Sequence, residues 1–123
     1  MRLAILSFSY KRGLPQQADY VFDARFLQNP HYVPELNPLS GCDAEVGEYI
    51  MADPAFAPFF GCLCDMLDLL IPRYRERQRE QLTIAIGCTG GKHRSVFVAE
   101  KLASLIVEQG RPVELTHRDL ELA

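Results

Sequence analysis

Apolar residues along this chain follow two different spacings, which together predict alternating strands and helices. The runs Leu3–Phe8 and Leu82–Gly87 are short and apolar, which is typical of buried strands. Asp19–Arg25 resembles a further strand, and Val113–Leu115 is short enough for an edge strand. Apolar residues at helical spacing occupy the intervals before and after Leu82–Gly87.

Three segments are predicted to be helical. Asp43–Ile50 is expected to form a short helix with Asp43 as its N-cap. A longer second helix is expected to start at Asp53–Pro54, which supply a capping side chain and a proline at the first helical position. Pro72 is expected to end or kink that second helix. Gly110 and Pro112 end the third helix. The apolar faces comprise Phe56, Phe59, Phe60, Leu63, Leu67, Leu70 and Ile71 in the second helix, and Val98, Leu102, Leu105 and Ile106 in the third.

Strands that alternate with helices favour an α/β fold. We therefore expect a single layered domain over residues 1–123, with a largely parallel sheet flanked by helices. Prolines and turn-forming residues exclude a continuous helix or central strand from Phe26 to Gly41, a segment called the long loop below. A connection of this length in a compact domain is usually functional.

Composition and charge narrow the classes of function. Hydrophobic residues make up 48% and charged residues 24% of the 123, which is ordinary for a globular chain. The net charge of −3 argues against strong, non-specific nucleic-acid binding, because such binding depends on neutralising many phosphates. The sequence shows neither a long apolar span nor a signal-peptide cleavage pattern, so we expect a cytoplasmic protein with no membrane partner.

The four cysteines do not predict a metal centre. They form no Cys-x-x-Cys pair and have no histidine at a spacing typical of zinc sites. Cys62 and Cys64 fall two positions apart in a helical segment, so their side chains point in different directions. We expect reduced thiols and neither a metal nor another cofactor.

The segment most informative about function joins the strand Leu82–Gly87 to the third helix. A strand–loop–helix junction aims unpaired backbone N–H groups and the positive helix end at one point. Its two glycines permit positive φ and close approach to a ligand, and three basic side chains bring charge. We therefore predict a phosphate or similar anion pocket at this junction, called the glycine loop (Thr89–His93). Its candidate ligands are Thr89, Gly90, Gly91, Lys92, His93 and Arg94.

A Walker A loop does not fit this segment. Counting back from the lysine, that motif requires glycine at the position of Ile86. It also requires serine or threonine, which binds magnesium, at the position of His93. Hydrolysis of ATP by this loop is therefore not expected.

A cysteine-dependent phosphatase is a second alternative. Cys88, five intervening residues, and then Arg94 and Ser95 reproduce the Cys-x₅-Arg-Ser pattern. Loop N–H groups and the arginine would hold the phosphoryl group, and the helix end would lower the pKa of the thiol. Asp23 or Asp43 would have to serve as general acid. Two observations oppose this hypothesis: glycine instead of histidine precedes the cysteine, and a half-buried Cys88 at a strand end needs no catalytic role.

Three segments resemble the C-terminal domain of the RNase adapter RapZ family: Ser7–Pro15, Asp19–His31 and Gly87–Ser95. The similarity runs from about Ser7 to Leu120. It implies a compact α/β domain similar to part of a sugar-phosphate kinase fold, with a non-catalytic site for an amino-sugar phosphate, glucosamine-6-phosphate. It also implies that Thr89, Gly90, His93 and Arg94 hold this ligand while His31, Lys11 and Arg25 close the site.

The resemblance also bears on partners. Full-length family members sense the metabolite, bind small regulatory RNAs, present them to an endoribonuclease and oligomerise. The sequence has no counterpart of the family's kinase-like N-terminal domain or basic C-terminal tail, so ligand sensing is expected more strongly than RNA adapter activity. A homo-oligomer, a protein partner and an RNA-binding module stay open alternatives.

Several candidate residues have a plain structural alternative. His31 could cap the long loop instead of contacting a ligand. Lys11 lies at a strand's carboxyl end, where it could face the same crevice as Lys92 or remain a surface charge. Asp23 and Arg25 share one strand face, so they either pair with each other or line the pocket. The resulting hypothesis is a non-enzymatic sensor in which Lys92 and Arg94 hold the phosphate and His31, His93 and Asp23 contact the sugar.

Overall fold

The computed structural model describes all 123 residues and contains one sheet of four parallel strands. The strand order is β2-β3-β1-β4. β1 and β3 are the central pair and are matched along their whole length, from Arg2 opposite Gln81 to Ser9 opposite Cys88. The strands are β1 (Arg2–Ser9), β2 (Tyr20–Asp23), β3 (Gln81–Cys88) and β4 (Glu114–His117). The predicted α/β fold with a parallel sheet is confirmed.

Three α-helices connect these strands and pack on the sheet. They are α1 (Ala44–Met51), α2 (Phe56–Glu76) and α3 (Arg94–Glu108), with short 3₁₀ turns at Tyr10–Arg12, Pro30–Tyr32 and Leu120–Leu122. Neither α1 nor α2 nor α3 is by itself long and apolar enough to span a membrane; α1 and α2 satisfy that test only when joined, and they are bent by 96° at their junction.

The main core lies between one face of the sheet and all three helices. It is a cluster of 19 buried apolar residues, and Ile5 and Ile84 belong to it from the central strands. The α2 face follows the predicted pattern, with four residues buried and three half-buried against the core. In α3, Leu105 differs from the prediction: it is only half-buried and lies outside this cluster, at the edge of a surface cavity.

The other face of the sheet has a much smaller apolar cluster. Leu6, Phe8 and Ala85 are buried there, against Tyr10 and Ala18. No helix contributes to this cluster, so the turn that follows β1 covers these residues in place of a second helical layer. The helices therefore flank the sheet mainly on one side.

The predicted start of α2 was wrong. Asp53 does not cap a helix that begins at Pro54; α2 begins at Phe56. The buried Asp53 carboxylate instead accepts hydrogen bonds from the Gln28 N–H at 2.8 Å and the Ala55 N–H at 3.0 Å, and so joins the long loop to the helix entrance.

Pro72 does not end the helix, because the effect of a proline is confined to the preceding turn. It removes one N–H donor and leaves one carbonyl without its helical partner, that of Asp68, an exposed residue that water can reach. Helical bonding then resumes, and the Arg77 N–H donates to the Arg73 carbonyl at 3.2 Å. α2 continues to Glu76.

Asp43 takes the predicted N-cap position of α1, but its side chain makes no capping bond to the helix. The carboxylate accepts from the Ser40 N–H at 2.8 Å instead. It therefore orders the end of the long loop, and not the first turn of α1.

Candidate functional site

The glycine loop follows the carboxyl end of β3, as the sequence predicted, and there the two central strands end side by side. A cavity of about 630 Å³ opens at this edge of the sheet. Four segments form its wall: the turn after β1, the long loop, the glycine loop and the residues after β4. The lining residues are Ser9, Lys11, Arg12, Asn29, His31, Tyr32, Asn37, Cys88, Thr89, Gly90, Lys92, His93, Arg94, Leu122 and Ala123.

The charged side chains that line this cavity are all cationic. Lys11 and Arg12 are exposed at its mouth, Lys92 is half-buried and Arg94 is buried. No aspartate or glutamate side chain is among the lining residues. The cavity therefore presents a positive potential at the carboxyl ends of parallel strands, which is where open α/β sheets bind ligands.

Gly91 is required by two independent features of the loop. Its φ is +66°, a conformation that L side chains rarely adopt. A Cβ atom there would lie 2.9 Å from the Ser9 Cβ and 3.0 Å from the Ser9 nitrogen. Gly91 thus allows the loop to approach β1, and it does not itself line the cavity.

Gly90 differs from the expectation that both glycines have positive φ. Gly90 does not have positive φ, and no atom lies within 4 Å of the position its Cβ would occupy. The residue is exposed and lines the cavity, so its role in the structure is to leave the backbone open to approach.

Ser9 and Asp119 hold the base of the site, and sequence reasoning missed both. The Ser9 N–H donates to Asp119 Oδ2 at 2.7 Å, and Ser9 Oγ donates to the Thr89 carbonyl at 2.7 Å. Burial alone would raise the pKa of Asp119, but hydrogen bonds from Arg118 and Ser9 and the charges of Arg118 and Arg12 together lower it below the ordinary value. Asp119 therefore stays ionised and connects the residues after β4 to the end of β1.

Arg94, the first residue of α3, connects the site to the long loop. It is 4% exposed, and its Nη1 donates to the backbone carbonyls of Arg25 and Leu27, the latter at 3.0 Å. Its buried Nε has no hydrogen-bond partner. A buried donor without a partner carries a desolvation cost, so one donor of this guanidinium is unpaired in a residue that lines the cavity.

Asn37 is a second connection that the sequence did not reveal. Its backbone carbonyl oxygen accepts from Lys92 Nζ at 2.9 Å and lies 3.2 Å from His93 Nε2. Its side-chain Nδ2 lies 2.9 Å from both the backbone oxygen and Nδ1 of His31. Asn37 therefore holds His31 close to Lys92 and His93 of the glycine loop.

His93 is buried beneath the long loop, and this keeps its imidazole neutral near pH 7. Burial, assisted by the charge of Lys92, lowers the pKa of His93 below 6.5, although carbonyl groups of the long loop act in the opposite direction. A neutral imidazole next to the Asn37 carbonyl donates from Nε2. His93 therefore orders the wall as a hydrogen-bond donor without adding a charge.

The free energy of unfolding is expected to fall as the pH drops below 6.5, the ordinary pKa of His93. Below that pH the His93 imidazole becomes protonated in the unfolded chain but stays neutral in the folded chain. The contribution of His93 to stability is therefore complete above pH 6.5 and is lost as the pH falls to the folded-state pKa. The slope reaches at most about 1.4 kcal/mol per pH unit. Urea unfolding between neutral and mildly acidic pH measures this slope.

The matched variants for this prediction are His93→Gln and His31→Gln. His93→Gln should lose the slope, whereas His31→Gln should retain it because His31 is exposed. Equal slopes in the wild type and His93→Gln would contradict the prediction.

Asp23 and Arg25 form an ion pair outside the cavity wall. Arg25 Nη2 lies 2.6 Å from Asp23 Oδ2, and the guanidinium also stacks 3.8 Å above the Tyr10 ring. The hydrogen bond from Arg25 is the main cause that lowers the pKa of Asp23. Of the two arrangements that the sequence allowed, the structure shows the pair.

Cys88 ends β3 as a buried thiol that also borders the cavity. Its Sγ donates to Ser95 Oγ at 3.0 Å. Of the carboxylates proposed as general acid, Asp23 pairs with Arg25 and Asp43 accepts from the Ser40 N–H, and neither lines the cavity. The cavity therefore brings a thiol and an arginine together, but no carboxylic acid side chain.

Of the ten residues proposed as ligands, seven line the cavity and three do not. The lining residues are Lys11, His31, Thr89, Gly90, Lys92, His93 and Arg94. Gly91, Asp23 and Arg25 lie behind or beside the wall. Arg12, Asn29 and Asn37 also line it and were not among the proposed ligands.

A parallel sheet with cationic side chains around a glycine loop, at the junction of a strand and a helix, defines a candidate anion-binding domain. This chain belongs to the RapZ C-terminal domain family, whose model matches residues 1–121. The resemblance drawn from the three sequence segments is thereby confirmed.

Curated relatives cover nearly the whole chain. A nucleotide-binding protein of Paramagnetospirillum magneticum is 56% identical over 117 residues, which are 95% of this chain and 38% of that protein. Nucleotide-binding proteins of Rhodospirillum rubrum and Rhodospirillum centenum are each 50% identical over 121 residues, or 98% of this chain and 38% and 36% of their own lengths. The chain thus spans less than two fifths of these relatives.

Proposed function

We propose that this domain binds a phosphorylated amino sugar of the glucosamine-6-phosphate type and does not catalyse its turnover. The observation that carries the proposal is the cavity at the ends of β1 and β3, lined by four cationic side chains and no acidic one. Its volume of about 630 Å³ falls within the range of small-molecule sites. A monosaccharide phosphate matches both the charge and the size.

The phosphate is assigned to the glycine loop. The backbone N–H groups of Thr89 to Lys92 come immediately before α3, where such groups bind anions, and Lys92 and Arg94 supply full charges. Arg94 Nε is the buried donor that has no partner within the chain. Lys11, exposed at the mouth, adds attraction at longer range.

The sugar is assigned to the wall formed by the long loop. Asn29, His31 and Asn37 line this side and offer both donors and acceptors to hydroxyl groups. Because Asp23 is engaged with Arg25, neutral oxygens such as the side-chain carbonyl of Asn29 are the better acceptors for an amine. This assignment replaces the carboxylate contact expected from the sequence.

Binding without turnover is supported by the same cavity. Hydrolysis through Cys88 needs a thiolate and an acid for the leaving group. No aspartate or glutamate side chain lines the cavity to supply that acid.

Calorimetric titration tests the proposal with five ligands: glucosamine-6-phosphate, glucose-6-phosphate, glucosamine, inorganic phosphate and AMP. Glucosamine-6-phosphate should bind most tightly, and glucosamine should bind at least about tenfold more weakly because it lacks the charge-assisted contacts. Equal binding of glucosamine and its 6-phosphate would refute the phosphate site. Tighter binding of AMP would favour a nucleotide, in keeping with the names of the relatives.

A turnover assay separates the sensor from the phosphatase. Incubation with p-nitrophenyl phosphate should release no nitrophenol. Turnover that disappears in Cys88→Ser would instead establish the cysteine as a nucleophile.

A further inference from the structure

Three side chains with metal-binding atoms meet beside α3, outside the lining of the glycine-loop cavity. They are Cys42, just before α1, Glu100 on α3 and His117 at the end of β4. Their ligand atoms all lie within 4.8 Å of one another. None of these residues lines the cavity of the glycine loop, so the cluster is separate from the proposed sugar-phosphate site.

The spacing of these atoms matches coordination of a single ion. Cys42 Sγ and His117 Nε2 each lie 3.3 Å from Glu100 Oε1. Tetrahedral zinc, with bonds of about 2.0–2.3 Å, places its ligand atoms about 3.3–3.6 Å apart. Two of the three pairs of ligand atoms already stand at that separation, and the third pair, Cys42 Sγ and His117 Nε2, lies within 4.8 Å.

His117 is held in an orientation suited to a ligand. Its Nδ1 lies 2.7 Å from the hydroxyl of Ser7, a residue buried in β1. Its Nε2 is buried and has no hydrogen-bond partner, since the nearby Glu100 oxygen is not aligned for one. A histidine ligand characteristically donates through its other nitrogen to a fixed acceptor, and Ser7 is in position to be that acceptor.

We propose that Cys42, Glu100 and His117 form a three-ligand site for Zn²⁺ or a similar borderline divalent cation. A thiol and an imidazole beside one carboxylate favour such an ion over Mg²⁺ or Ca²⁺, which prefer oxygen ligands. Cys42 and Glu100 also line a second cavity of about 630 Å³ between α1 and α3. The fourth coordination position opens on this cavity, where water or a small ligand completes the shell.

The cysteine spacing could not reveal this site, because the ligands are far apart in the chain. Cys42 and Glu100 are separated by 58 positions. Sequence rules for zinc recognise pairs of ligands a few residues apart. On binding, the Cys42 thiol releases its proton to solvent and the thiolate takes the ion.

Cobalt titration tests the site directly. The whole chain is stripped with a chelator under reducing conditions and titrated with Co²⁺, whose spectrum reports thiolate and tetrahedral ligation. We expect one equivalent of Co²⁺ per chain with a thiolate-to-cobalt charge-transfer band, and displacement of that band by Zn²⁺. Cys42→Ser should abolish the band, whereas Cys62→Ser, an exposed thiol on α2, should retain it.

Two further variants test the other ligands. Glu100→Gln should weaken Zn²⁺ binding at least about tenfold, and Ser7→Ala should weaken it about 10–100-fold by freeing the His117 ring. Glu108→Gln, on the wall of the same cavity but outside the cluster, should bind as the wild type does. The proposal is overturned if no band forms, if the band persists in Cys42→Ser, or if Cys62→Ser loses it.

Discussion

Gly41→Ala is expected to destabilise the protein by about 3 kcal/mol, the upper end of typical overpacking costs. A Cβ at this position would lie 2.4 Å from both the His93 carbonyl oxygen and the Phe97 nitrogen. Both are backbone atoms at the start of α3, so neither can rotate away. The long loop must then separate from α3 and lose the hydrogen bond from the Gly41 N–H to the Lys92 carbonyl, 2.9 Å in the structure.

Thermal unfolding measures this effect as a fall in Tm of about 10 °C. The matched control is Gly61→Ala, because Gly61 lies exposed within α2 and has no atom within 4 Å of its Cβ position. That variant should gain about 0.5–1 kcal/mol, since alanine loses less backbone entropy than glycine in a helix. A Gly41→Ala protein as stable as the wild type would show that the loop tolerates displacement from α3.

The elements that the sequence predicted correctly are those determined by local pattern. The apolar run Leu82–Gly87 is buried on both faces as β3, because the helices cover one face of this central strand and the turn after β1 covers the other. The helical stripe of α2 faces the core for an equally local reason, since its spacing puts one side of the helix on the sheet. The turn from β3 into α3 likewise depends on adjacent residues.

Long-range contacts decide the rest of the site, and no local pattern encodes them. Ser9 and Asp119 are 110 positions apart, yet their hydrogen bond fixes the base of the cavity. Asn37 appeared in the sequence only as a turn-forming residue, although its carbonyl contacts both Lys92 and His93. Such partners become recognisable only when the strand order brings the chain segments together.

Asp53 shows how a tertiary contact overrides a local rule. An aspartate before a proline is a sound N-cap signal. Here the carboxylate bonds to Gln28 from the long loop as well as to Ala55, and the helix begins only at Phe56. The same aspartate therefore fixes the position of the long loop, which forms one wall of the candidate site.

Arg94→Ala is expected to weaken glucosamine-6-phosphate binding about ten- to hundredfold. Loss of a charge-assisted hydrogen bond to phosphate costs about 1.5–3 kcal/mol, which corresponds to that range. The substitution also leaves the Arg25 and Leu27 carbonyls without their donor, so the free energy of unfolding should fall by about 2–4 kcal/mol. Calorimetry and urea unfolding measure the two effects.

Lys11→Ala separates binding from folding. Lys11 is exposed at the cavity mouth, and its side chain makes no hydrogen bond to the protein, so stability should change by less than about 0.5 kcal/mol. Affinity should still fall by up to about fivefold, because a solvent-exposed charge contributes up to about 1 kcal/mol. Arg73→Ala, at the exposed end of α2, should change neither quantity. If Arg94→Ala and Lys11→Ala both bind as the wild type does, the phosphate does not occupy the glycine loop.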